Sequence, residues 1–141
     1  MTEKKAIDAL WPDVSTLDGA HEAATEGAKA AFAVALLTLV FSLYAMYRQP
    51  GYNITPRAIV DILLFSALAV GTLRMSRITA GAALALYILE RVYQIVTVGP
   101  GGLRGVLLML FISYFLFQGV RGTFGHHRLI KEQSVGGETA L

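Results

Sequence analysis

Four long, mostly apolar segments dominate the sequence and limit the folds open to it. They cover residues 28–47, 56–73, 78–98 and 106–124, and short stretches of charged residues, glycine or proline separate them. A helix of about 20 apolar residues crosses the hydrocarbon core of a bilayer. Of the 141 residues, 55% are hydrophobic and only 16% are charged. We therefore predict an all-α integral membrane protein, a four-transmembrane-helix antiparallel bundle with a short N-terminal amphipathic extension.

The segments outside the predicted spans are polar and short. Residues 1–26 form an acidic N-terminal extension, residues 27–124 the transmembrane domain, and residues 125–141 a C-terminal tail that we expect to be mobile. Within the extension, Trp11 lies among apolar residues at near-helical spacing. Such a pattern fits either an amphipathic helix anchored at the headgroup level or a mobile leader.

Local signals give the helix boundaries. Ser15-Thr-Leu-Asp18 has the form of a capping box, so the first helix should begin near Thr16, well before the lipid. Thr55-Pro56 is an N-cap followed by proline at the first helical position. Arg74-Met-Ser-Arg77 is so short that the second and third spans should be antiparallel neighbours. We expect Gly99–Gly105 to form another tight turn.

Basic residues indicate the orientation in the membrane. Four spans place both termini on one side, and that side carries Lys4, Lys5, Lys29, Arg74, Arg77, Arg121, Arg128 and Lys131. The opposite side carries Arg48, Arg57 and Arg104. The positive-inside rule then makes both termini cytoplasmic, and we predict a multi-pass protein of the bacterial inner membrane.

Polar side chains within the second and third spans form the first candidate site. Depth matching brings Asp61 close to Arg91, and we predict an ion pair between them, with Arg57 as a further partner for Asp61 or Glu90. Two interpretations stay open: the charges neutralise one another and fix helix register, or they line an outward-facing polar pocket. The predicted intramembrane polar network comprises Arg57, Asp61, Tyr87, Glu90, Arg91 and Gln94.

A second polar region follows the fourth span. Tyr114, Gln118 and Arg121 form a stripe on its cytoplasmic half. Basic residues in this region are expected to contact anionic lipid headgroups. They are Arg121, His126, His127, Arg128 and Lys131. The histidines lack HxxxH or HExxH spacing, so we expect neither a metal site nor a cofactor.

The sequence argues against several classes of function. The chain contains no cysteine, which removes disulfide and thiolate chemistry. No nucleophile elbow or phosphate loop is visible, so an enzyme is the less favoured reading and no catalytic residue is assigned. The net charge of +2 reflects basic helix ends rather than nucleic-acid binding.

The leading hypothesis is a non-enzymatic interaction or assembly subunit that contacts the bilayer, anionic lipids, and either further copies of itself or another membrane protein. The small-residue stripe of Ala24, Ala28, Ala31 and Ala35 favours close helix packing, within the chain or between protomers. The first alternative is a small-solute, ion or proton transporter or channel that uses the outer polar pocket. The second is a lipid-modifying membrane enzyme.

Two short motifs resemble a known group. They are Ser76-Arg77 leading into a small-residue helix, and Phe117-Gln-Gly-Val-Arg-Gly-Thr-Phe124 followed by His127-Arg128-Leu129. Over residues 28–130 the chain resembles small four-span bacterial inner-membrane proteins of unassigned function. The resemblance implies location and topology, and no particular chemistry.

Overall fold

Four helices make up the structure, a computed structural model that describes residues 3, 6, 7, 10–51, 53–99 and 105–139. They are α1 (Leu17–Arg48), α2 (Pro56–Leu73), α3 (Arg77–Val98) and α4 (Val106–Thr139). The described residues contain no strand. Lys4, Lys5, Arg104 and most of the predicted Gly99–Gly105 turn lie outside the described residues.

Hydroxyl side chains cap the first three helices, at Thr16, Thr55 and Ser76. The cap of α1 lies one residue after Ser15, where the predicted capping box begins. Thr16 Oγ1 accepts a hydrogen bond from Gly19 N at 3.1 Å, so α1 begins where the sequence indicated. Thr55 caps α2 in the same way, and Pro56 follows it. The turn between α2 and α3 closes within three residues, with Met75 in the left-handed region at φ 60°. The predicted antiparallel pairing of α2 and α3 is thereby confirmed.

The prediction of a mobile tail from residue 125 is wrong. Helix α4 runs without a break to Thr139 and comprises 34 residues. Arg128 and Glu132 form an i,i+4 ion pair at 3.8 Å on this extension, and no proline interrupts it. At 1.5 Å per residue, about 20 Å of helix lies beyond Gly125.

Small residues fill the centre of the bundle and large apolar residues face outward. Ala24, Ala28 and Ala31 are fully buried at 0% exposure, whereas Leu36 is 61% and Leu63 65% exposed. This arrangement is the reverse of a soluble core and is typical of helices that pack in lipid. Three helices are long and apolar enough to cross a membrane: Leu17–Arg48, Pro56–Leu73 and Val106–Gly137. Helix α3 comprises 22 residues, contains Glu90, Arg91 and Gln94, and is not one of these three.

Helices α1 and α4 cross at glycine. A Cβ atom added to Gly27 would lie 2.2 Å from Gly119 Cα, and one added to Gly122 would lie 2.3 Å from Ala24 N. The small-residue stripe of α1 is therefore buried inside the chain, where it packs against α4. Gly125 of α4 approaches Val14, so the C-terminal part of α4 lies beside the beginning of α1.

Candidate functional site

The polar side chains of the predicted network meet where α2 begins and α3 ends. Arg57 lies in the first turn of α2, and its Nη2 is 3.7 Å from Glu90 Oε1 on α3. The Arg57 guanidinium also lies 5.3 Å from the ring centroid of Tyr93. One turn further along α2, Asp61 lies close enough for its charge to act on Glu90. This group of Arg57, Asp61, Tyr87, Glu90, Arg91 and Gln94 is called the polar cluster below.

Arg91 does not pair with Asp61 in the way the depth argument predicted. Its Nη1 donates to Gln94 Oε1 at 2.7 Å, and its guanidinium lies 5.1 Å from the ring centroid of Tyr87. Successive residues of an α-helix point about 100° apart. Glu90 is the residue that meets Arg57 of α2, whereas Arg91 lies on the face of α3 that carries Tyr87, four residues earlier. The depth argument brought the correct parts of α2 and α3 together, but the predicted ion pair between Asp61 and Arg91 is wrong.

Tyr87 connects the polar cluster to the apolar core. It is only 1% exposed, and its ring meets Phe65 edge-on with centroids 6.5 Å apart. Among the described residues, Tyr87 Oη and Arg91 Nε are buried without a hydrogen-bond partner. The two arginines and two carboxylates balance in charge. The cluster is thus a neutral set of interacting groups at the α2–α3 interface.

A basic cavity lies at the opposite end of the bundle, where α1 and α3 begin. Its volume is about 680 Å³. Cationic side chains come from two helices, Arg77 from the first turn of α3 and the others from one face of α4. It is lined by Val14, Arg77, Arg121, Phe124, Gly125, His127, Arg128 and Lys131. We call this site the basic cavity.

The basic cavity brings together most of the predicted headgroup-contact residues. Arg121, His127, Arg128 and Lys131 all line it, and Arg77 is a member that this prediction missed. Arg121, Arg128 and Lys131 are seven and three residues apart, a spacing that places them on one face of a helix. Arg77 belongs to another helix, so only tertiary packing could reveal it.

His127 makes a contact within its own helix. His127 Nδ1 lies 2.9 Å from Thr123 O, one turn earlier in α4. The ring of His126 lies 6.0 Å from that of His127, centroid to centroid, but His126 does not line the basic cavity. In the described part of the chain, no group of three or more histidine and acidic side chains is arranged to hold a metal ion.

The N-terminal segment, residues 10–16, packs against the Tyr114–Gln118–Arg121 stripe of α4. Leu10 O accepts hydrogen bonds from Tyr114 Oη and from Gln118 Nε2, the latter at 3.1 Å. The guanidinium of Arg121 lies 3.8 Å from the ring centroid of Trp11 and donates to Gln118 Oε1 at 2.6 Å. The two interpretations that the sequence left open for this region were a headgroup anchor and a mobile leader. Neither of them included a contact with α4.

Asp13 closes the turn that carries this segment into α1. Its Oδ1 accepts a hydrogen bond from Ser15 N at 2.9 Å. Hydrogen bonds from Ser15 lower the pKa of Asp13 below its usual value, and the charge of Arg121 acts in the same direction. The segment therefore places both an aromatic ring and a carboxylate near Arg121.

Comparison with known proteins adds no assignment. No family model, no curated protein and no solved structure matches the chain.

Proposed function

We propose that the chain is a non-enzymatic, four-span membrane subunit that makes its interactions through the end of the bundle that carries the basic cavity. One observation carries the proposal. At the polar cluster the arginines and carboxylates offset one another, whereas the basic cavity gathers three arginines and a lysine. Unbalanced charge on a concave surface attracts an oppositely charged partner.

The path of the chain supports four spans. The C-terminal half of α4 lies beside the start of α1, so the first helix begins and the last helix ends at the same end of the bundle. Since α2 brings the chain to that end, α3 has to return it to the other end before α4 begins. Its 22 residues extend about 33 Å at 1.5 Å per residue, enough to cross the hydrocarbon core. Cationic side chains at the shared end support a cytoplasmic location for it in a bacterial inner membrane.

Further copies of the chain are the partners that the lipid-facing surface favours. The small-residue stripe of α1 is used within the chain, but Gly81 of α3 has open space where a Cβ atom would lie. Four residues later, Ala85 is exposed. A small-xxx-small pair on a lipid-facing surface lets a second helix approach closely. We propose this face of α3 as the contact in a homo-oligomer or with another membrane protein.

A transporter or channel is the second candidate. The observation in its favour is that two carboxyl side chains, Asp61 of α2 and Glu90 of α3, lie close enough to interact. Such a pair can exchange a proton or bind a cation. Against it, Arg57 lies 3.7 Å from Glu90 and supplies a fixed positive charge. Proton flux in proteoliposomes separates the two, because Glu90→Gln abolishes flux only in a transporter.

The test of the interaction role uses the chain in its own membrane. The protein is extracted in mild detergent and its retained lipids and proteins are measured by native mass spectrometry. We expect the wild-type chain to keep a component that Arg128→Gln combined with Lys131→Gln releases. The matched control neutralises two exposed cations elsewhere on the chain, Lys29→Gln and Arg48→Gln, and should keep the component. Equal retention by both double variants would contradict the proposal.

A further inference from the structure

The basic cavity has the chemistry of a phosphate site. We propose that it binds the phosphate group of one ligand, with the N-terminal segment covering one wall; this assignment rests on the proposed interaction role of that end of the bundle. Arginine presents planar N–H donors that match phosphate oxygens, and lysine adds a mobile point charge. Three arginines and a lysine line a volume of about 680 Å³, large enough for a headgroup or a small organic phosphate.

Two of the cations are already held in place. The guanidinium of Arg77 lies 5.5 Å from the ring centroid of Phe124, which ties α3 to the cationic face of α4. Arg121 is fixed on one side by Gln118 and on the other by Trp11. Side chains that are ordered before binding lose less conformational entropy when the ligand arrives. Arg77 and Arg121 are therefore ordered in the cavity before an anion binds.

The carboxylates near the cavity do not neutralise it. Glu132 lies 3.8 Å from Arg128, and both side chains are more than half exposed, at 64% and 61%. Exposed ion pairs of that kind contribute little to stability, and they yield to a better anion. A phosphate group can therefore replace the carboxylate of Glu132 at Arg128.

The N-terminal segment contacts side chains of the same cavity in which the ligand would bind. Val14 lines the cavity, Trp11 covers Arg121, and Asp13 interacts with the same guanidinium. A phosphate that binds Arg121 changes the surroundings of Trp11, which lies on its guanidinium. Because Trp11 is the chain's single tryptophan, its fluorescence reports this change without a label.

The experiment reconstitutes the full chain in nanodiscs. One set contains phosphatidylcholine alone, a second also contains phosphatidylglycerol, and a third contains phosphatidylcholine with inorganic phosphate titrated into the buffer. We expect a saturable change of Trp11 fluorescence in the second or third set, with one ligand per chain by native mass spectrometry. A change in the lipid set only identifies a headgroup, and a change with inorganic phosphate identifies a soluble phosphate. Either outcome supports the phosphate site.

A charge-neutral variant decides whether the cavity is responsible. Arg77→Gln combined with Lys131→Gln removes two cavity cations and leaves Arg121, which holds the N-terminal segment, unchanged. We expect at least about a tenfold weaker apparent affinity, the change that corresponds to losing one or two charge-assisted hydrogen bonds. The control, Lys29→Gln with Arg48→Gln, should bind as the wild type does. Thermal unfolding of each variant shows that it is folded.

Two results overturn the assignment. One is no saturable fluorescence change in any set, and the other is equal affinity in the cavity variant and the control. If the native membranes still yield a component that depends on Arg128 and Lys131, only the phosphate assignment fails and the interaction role stands. If that component is absent as well, both fail.

Discussion

At Gly27 the backbones of α1 and α4 are in direct contact, so this crossing is sensitive to any added side chain. A Cβ atom added to Gly27 would lie 2.2 Å from Gly119 Cα, 2.7 Å from Gly119 N and 3.2 Å from Phe115 O. All three are backbone atoms, so no side-chain rotation relieves the overlap. Gly27→Ala must therefore push the two helices apart.

The expected loss follows from two opposing effects. Overpacking a well-packed interior costs about 1–3 kcal/mol, and a backbone clash belongs at the upper end of that range. Alanine is the better helix former and returns about 1 kcal/mol relative to glycine. We expect Gly27→Ala to lower the free energy of unfolding by about 1–2 kcal/mol after this correction.

A matched variant isolates the packing effect. Gly81 lies in α3, and a Cβ atom there would meet nothing within 4 Å. Gly81→Ala therefore gains helix propensity without a clash and should be neutral or slightly stabilising. The assay is reversible unfolding of both variants in the same detergent. If Gly27→Ala is as stable as Gly81→Ala, the described α1–α4 crossing is incorrect.

Two further predictions concern the charged groups. Arg57→Gln should lower the free energy of unfolding by up to about 1 kcal/mol, because it leaves Glu90 without its cation while the Arg57 side chain is largely exposed. Glu90→Gln should cost less, because it also removes the like charge next to Asp61. Detergent unfolding of both variants measures this, and a larger loss for Glu90→Gln would refute the arrangement. The pKa of Asp13 is lowered in the folded chain, so its charged form is favoured there. The stability that Asp13 contributes is therefore present at pH values above its pKa in the unfolded chain, and it is lost as the pH falls through its pKa in the folded chain. Trp11 fluorescence should thus be constant between about pH 5 and 8 and change below about pH 4, and Asp13→Asn should remove that acid transition.

Much of the fold could be predicted from local sequence signals. The cap at Thr55 and the short connection after Leu73 each depend on a few adjacent residues, and the structure has both where predicted. The cap of α1 is Thr16, one residue after Ser15 of the predicted capping box. The end of α4 was misjudged because a polar composition was equated with mobility. Helix formers and an Arg128–Glu132 pair keep the helix intact there.

The candidate sites were harder to predict because they depend on rotation about helix axes. Helical rise gave the depths of Asp61, Glu90 and Arg91, but which of two adjacent side chains faces α2 depends on packing around Phe65 and Tyr87. Docking of Trp11 on Arg121 joins residues more than a hundred positions apart. The residues adjacent to Trp11 and to Arg121 in the sequence give no indication of this contact.

The most direct test of the account is the location of the two ends of the bundle. The chain contains no cysteine, so single cysteines can be introduced at Asn53, between α1 and α2, and at Ser134, near the end of α4. A membrane-impermeant maleimide is then applied to intact cells. The account predicts that Asn53→Cys is labelled at once and that Ser134→Cys is labelled only after the membrane is opened. Labelling of both positions from outside would place α4 in the opposite direction and would contradict four spans with a cytoplasmic basic cavity.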